Sequence, residues 1–137
     1  MNLDPSAFVA DPELLAALEQ LSASVACPTD RLLFSQGDPA TGLYVLHSGK
    51  GQLTMTSASG DTLICTPVGP GTLMGLPGVL GNQPYSLTGI AFSGAGVSYI
   101  SREDFAQLMM RDPSLSLCVL RILAAEVRTA RVAISHT

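Results

Sequence analysis

Apolar residues recur along this chain with two periods. Leu14, Leu15, Leu18 and Leu21 fall at helical spacing behind Asp11-Pro12-Glu13. That tripeptide suits a helix start: a capping carboxylate, a proline whose missing N–H costs nothing in the first turn, and an acid near the positive dipole end. A helix over about residues 11–24 with one apolar face is predicted. From Cys27 the period shortens. Leu32-Leu33-Phe34, Leu43-Tyr44-Val45-Leu46, Gln52-Leu53-Thr54-Met55-Thr56 and Thr62-Leu63-Ile64-Cys65-Thr66 are short β-type runs. Between them stand Gln36-Gly37-Asp38-Pro39, Ser48-Gly49-Lys50-Gly51, Ser59-Gly60-Asp61 and Gly69-Pro70-Gly71. Short strands with a glycine turn roughly every ten residues predict an antiparallel sandwich or barrel over 27–101. Ser86 to Ala91 and Gly96 to Ile100 supply two more strands.

At Ser101 the helical period returns. Ser101-Arg102-Glu103-Asp104 has the form of a capping box, and Phe105, Leu108 and Met109 give the helix over 102–112 an apolar face. Asp112-Pro113 ends it and opens a longer helix over about 114–132. In this helix Leu120, Leu123, Val127, Ala130 and Ile134 repeat at alternating three and four residues, while Leu115, Val119 and Ile122 form a second apolar edge. One edge can cover the β domain while the other meets something else. A helix packed on its own domain and a helix paired in a homodimer both fit. Two apolar edges tip the reading towards a homodimer through Leu120, Leu123, Val127 and Ala130.

The stretch between strands and helices that stands apart is Gly75 to Ala91. Gly75, Leu76, Pro77, Gly78 and Val79 read as a loop entering one helical turn, Gly81-Asn82-Gln83-Pro84 closes it, and Tyr85, Ser86, Leu87 and Thr88 lead into a strand. Such a form gathers backbone N–H groups where an anion can sit. The residue types argue against one, since no cation is present and Pro77 removes an N–H from the turn.

Composition narrows the classes. The chain has 137 residues, read as one domain over 1–137, with 47% hydrophobic and 13% charged residues. A net charge of −4 disfavours nucleic-acid binding by these residues themselves. Cys27, Cys65 and Cys118 are scattered and odd in number, which fits buried thiols in a reducing compartment. No signal peptide or membrane-spanning run is present, so a cytoplasmic protein away from the membrane is predicted. Only His47 and His136 are available as imidazoles. A metal-dependent cupin needs several converging on one ion with a carboxylate. Haem ligation by His47 alone is the weaker reading of a lone histidine at a strand end. Ser48 and His47 point to opposite faces of one strand, and Asp38, Asp61 and Asp104 lie in turns or at a cap. Nothing supports an enzyme, a catalytic residue or a metal site.

Taken together, Leu33-Phe34-Ser35-Gln36-Gly37-Asp38-Pro39-Ala40, Leu43-Tyr44-Val45-Leu46, Ser48-Gly49, the Pro70-Gly71 to Gly75 spacing, and Phe105, Leu108 and Pro113 before a long helix closely resemble the cyclic-nucleotide-binding domain of Crp/Fnr bacterial regulators. The likeness runs from about Cys27 to Arg131. It implies a mainly β fold with flanking helices: an eight-stranded antiparallel β-roll or jelly roll, a cupin-like double-stranded β-helix. One helix precedes it and two follow, the last for dimerisation. A phosphate-binding cassette is implied at Gly75–Val79 and Pro84–Thr88. In the family its opening Gly-Glu binds the ribose hydroxyl and its closing Pro-Arg-Ser/Thr pairs the arginine with the cyclic phosphate.

Here the acid is Leu76 and the arginine is Tyr85. Hydrogen bonds to charged groups are worth roughly 1.5–3 kcal/mol each, so losing both weakens a cyclic nucleotide by about 3–6 kcal/mol. The resemblance therefore implies a non-enzymatic regulatory sensor for a small effector other than cAMP held by the usual contacts, or a ligand-free dimerisation or scaffold module. An atypical cyclic-nucleotide binder using backbone N–H groups and the Ser86 and Thr88 hydroxyls is the third reading. The family's helix-turn-helix domain is expected to be absent from these residues, since 24 follow Pro113, and both a stand-alone module and the sensor portion of a longer regulator fit.

Overall fold

The computed structural model describes residues 8–135, with side chains described as far as residue 124 and at Arg128. The helix α1 (Pro12–Glu19) is followed by β1 (Ala23–Val25), β2 (Arg31–Phe34), β3 (Gly42–Ser48), β4 (Gly51–Thr56), β5 (Thr62–Val68) and β6 (Thr72–Met74). Then come α2 (Leu76–Gly81), β7 (Thr88–Ala91), β8 (Gly96–Ser101), α3 (Arg102–Arg111) and α4 (Leu115–Ser135). Two antiparallel four-stranded sheets, ordered β1-β8-β3-β6 and β2-β7-β4-β5, form the roll.

Alternation builds the inner face. In β4, Leu53 and Met55 turn inward while Gln52 and Thr54 are half-exposed, and in β5 Ile64, Thr66 and Val68 are buried. Leu43, Leu46, Leu73, Met74 and Ile100 complete the core between the sheets, with Leu14 and Leu18 of α1 and Phe105 of α3 packed against it. From α4, Leu115, Val119 and Ile122 are buried, so that apolar edge is spent on the roll.

Four local readings change. The N-terminal helix stops at Glu19 rather than continuing to 24, and Ala23–Val25 pairs with β8 instead. Asp11 occupies the cap position of α1 without a side-chain cap bond; its carboxylate accepts a hydrogen bond from Arg121 of α4 at 3.0 Å. The strand after the central stretch begins at Thr88, not Ser86. Cys27 is buried as expected, but Cys65 faces outward on β5 and is exposed. Ser101 does cap α3, accepting the Asp104 N–H at 3.1 Å. Among the described residues, no helix is long and apolar enough to cross a membrane. Among them, too, no group of three or more His, Cys, Asp or Glu could hold a metal ion. His136 lies outside them.

Candidate functional site

The site is the crossing from β6 through α2 to β7. Gly75 leaves β6 with φ +97°, a left-handed backbone that glycine adopts without strain, and the chain turns at once into α2. A side chain at Gly75 would also press on Tyr85, whose ring lies 3.0 Å from where its Cβ would stand. Pro77 sits in the first turn of α2, where no intrahelical N–H is required of it. Asn82 ends the helix with φ +51°, and the Gln83 N–H donates back to the Gly78 carbonyl at 3.0 Å. Leu76, Gly78 and Val79 are buried.

After this turn the chain is stitched to the loop between β2 and β3. Pro84 bridges Pro39, the Tyr85 N–H donates to the Asp38 carbonyl at 2.9 Å, and the Gly37 N–H donates to the Tyr85 carbonyl at 2.9 Å. This pairing turns the Tyr85 side chain inward, leaving it 4% exposed. Its hydroxyl donates to the Gly42 carbonyl at 2.7 Å and accepts the Gly42 N–H at 3.3 Å. Its ring lies 4.5 Å from that of Phe34, which in turn stacks on Tyr44 at 5.5 Å. Leu87 is buried, and Ser86 is half-buried. The Thr88 hydroxyl accepts the Gln36 N–H at 2.9 Å.

The candidate residues are thus gathered around Tyr85, with their side chains differently disposed. Leu76, Val79, Tyr85 and Leu87 are core, and the Tyr85 and Thr88 hydroxyls already hold backbone partners. Sequence reasoning missed Gly42 and Gln36, whose backbone groups anchor the Tyr85 and Thr88 hydroxyls. It also missed Arg102, whose guanidinium donates to the Asn82 side chain at 2.7 Å and to the Ala40 carbonyl. Nothing in the spacing of residues 36, 42, 85 and 102 signals that they meet. Outside the roll, a cleft of about 510 Å³ opens between the β2–β3 loop, the turn after α2 and the start of α3.

The family model described as cyclic nucleotide-binding domain matches residues 24–112. The chain belongs to this family. Among curated relatives of this domain, the Cyclic AMP receptor protein of Thermus thermophilus is 30% identical over 103 residues, covering 75% of this chain and 48% of the relative. A CRP-like cAMP-activated global transcriptional regulator of Mycobacterium tuberculosis is 24% identical over 118 residues, covering 86% of this chain and 53% of the relative. The chain therefore spans about half the length of the curated relatives it matches. Among solved structures, the Thermus thermophilus catabolite activator protein superposes with a TM-score of 0.75 at 28% identity, covering 91% of this chain and 59% of that one. The N-terminal domain of a Streptomyces coelicolor transcriptional regulator gives 0.64 at 28% identity, covering 87% and 85%. The cyclic-nucleotide-binding fold is thus present, with Leu76 and Tyr85 where the resemblance places the cassette acid and arginine.

Proposed function

We propose that this chain is a non-enzymatic regulatory sensor domain of Crp/Fnr type, working in the cytoplasm, whose small effector is not cAMP held by an acid–arginine pair. The supporting observation is Tyr85. Where the resemblance puts the arginine, it presents a buried ring and a hydroxyl bonded both ways to Gly42. A cyclic phosphate entering there would meet a phenol in place of a guanidinium. It would also have to displace the hydroxyl's two hydrogen bonds, worth about 0.5–1.5 kcal/mol each. An effector acting on α2 can reach the C-terminal helix directly, because α2 packs against α4. Through α4 it would act on a homodimer.

The same burial of Leu76 and Tyr85 also favours a second reading, a ligand-free dimerisation or scaffold module whose own side chains close the roll. A thermal-shift titration with cAMP, cGMP and cyclic dinucleotides tests the proposal, since a ligand that binds only the native state raises its melting temperature. No shift at millimolar concentration is expected. A saturable shift at micromolar cAMP overturns the reading and establishes an atypical nucleotide site. A metabolite screen then separates sensor from scaffold. The double variant Leu76→Glu with Tyr85→Arg is expected to gain cyclic-nucleotide affinity in the same assay. If it gains none, these positions are not what keeps the nucleotide out.

A further inference from the structure

We propose that the cleft outside the roll binds a small zwitterion of the amino-acid class, with Arg102 taking its carboxylate and Glu103 its ammonium. At about 510 Å³ the cleft is within the usual size of small-molecule sites, and it is separate from the interior that Tyr85 fills. The charged residues lining it are Arg102 and Glu103, consecutive at the start of α3, with Thr41, Tyr99, Asn82 and Gln83 offering hydroxyls and amides around them. Among the described residues neither charge is met by an opposite one within 4.0 Å; the ion pair found there is Asp11 with Arg121. Arg102 spends one N–H of each terminal nitrogen on the neutral Asn82 and Ala40 oxygens and keeps one on each, while its Nε is buried and out of a ligand's reach.

A guanidinium with donors to spare and no carboxylate is suited to a ligand carboxylate, which it grips through paired hydrogen bonds. The neighbouring Glu103 then selects for a ligand that also carries a positive amine and against a plain anion. The Tyr99 hydroxyl, which donates to the Thr41 hydroxyl at 3.2 Å, closes one wall. The remaining walls are the turn that ends α2 and the loop that fastens Tyr85. An occupant therefore bridges α2, the β2–β3 loop and α3. This inference does not depend on what the roll interior binds.

The test uses the full chain labelled with ¹⁵N, to which each proteinogenic L-amino acid is added singly up to about 10 mM, a range that detects millimolar affinity. At least one is expected to shift the amide signals of Thr41, Asn82 and Gln83 saturably. Its 2-oxo acid, lacking the ammonium, and its decarboxylated amine, lacking the carboxylate, should each bind at least about tenfold more weakly. Arg102 also supports the fold through Asn82, so the deciding variant is Glu103→Gln, an exposed change expected to weaken binding by a similar factor. The proposal is overturned if no amino acid moves these signals, if the 2-oxo acid binds as well as the amino acid, or if Glu103→Gln leaves affinity unchanged.

Discussion

Tyr85 holds the cassette exit against β3 through one hydroxyl that both donates to and accepts from Gly42. Replacing it by phenylalanine keeps the ring against Phe34 and removes both bonds. Tyr85→Phe is expected to cost about 1–3 kcal/mol in urea unfolding, the range for leaving buried polar groups unpaired. A change within error would mean that the ring alone seats the strand. Tyr44, next in the aromatic row, brings a pH dependence. Burial first, then the neighbouring Tyr85 and Tyr99, hold its phenol above the ordinary value of 10.0, against a smaller opposing pull from Arg31. A raised folded pKa means the native state keeps a proton that the unfolded chain gives up. That stability is complete below about pH 10 and is lost as pH rises through the folded value. Unfolding followed from pH 9 to 11 should show this decline, and Tyr44→Phe should flatten it. At this scale the resemblance assigns the places of the acid and the arginine to Leu76 and Tyr85. It did not tell where they point, because Tyr85 finds Gly42 across 43 positions and through a loop that no periodicity describes.

Elements with a strong period were legible and short ones were not. The alternation in β4 and β5 and the Ser101 cap of α3 appear in the fold as read, since each depends on neighbours a few residues apart. Ser101→Ala should therefore lower stability by about 1 kcal/mol, the usual worth of a side-chain cap, and Ser101→Asp should restore most of it. Equal loss from both changes would place the role of Ser101 in strand packing rather than in the cap. By contrast β1 and β6 have three residues each. The burial of β6 is unbroken, so it carries no alternation to detect, and β1 is recognised only by its pairing with β8. Asp11 shows a different limit. A local rule made it a cap, yet a long-range partner, Arg121 on α4, takes its carboxylate. The nearness of the same carboxylate is also the first reason the Cys118 thiol's pKa is raised. Asp11 thus ties the first helix to the last, a role that the spacing of residues within either helix cannot express.

For the whole molecule the open quantity is the number of chains, and α4 divides it into separable terms. Leu115, Val119 and Ile122 are buried against the roll, while Leu117 is 72% exposed and Leu120 55% exposed. Leu123 lies between, half-buried and packed against the core, and the side chains of Val127 and Ala130 lie outside the described residues. A homodimer built on the three–four repeat would cover Leu120, because an exposed leucine is free to pair with a second copy at no cost to its own domain. Leu120→Asp is accordingly expected to halve the mass seen by light scattering while leaving the unfolding free energy of the separated chain within about 0.5 kcal/mol, as for most surface changes. Leu123→Asp should act on both quantities, since it also touches the core. Ile122→Ala should act mainly on stability, by about 2–5 kcal/mol, because its side chain faces the roll. An unchanged mass for Leu120→Asp, in a protein that is dimeric to begin with, would move the interface off this edge. A protein already monomeric at working concentration would remove dimer coupling from the proposed mechanism and leave α4 as a lid on its own domain.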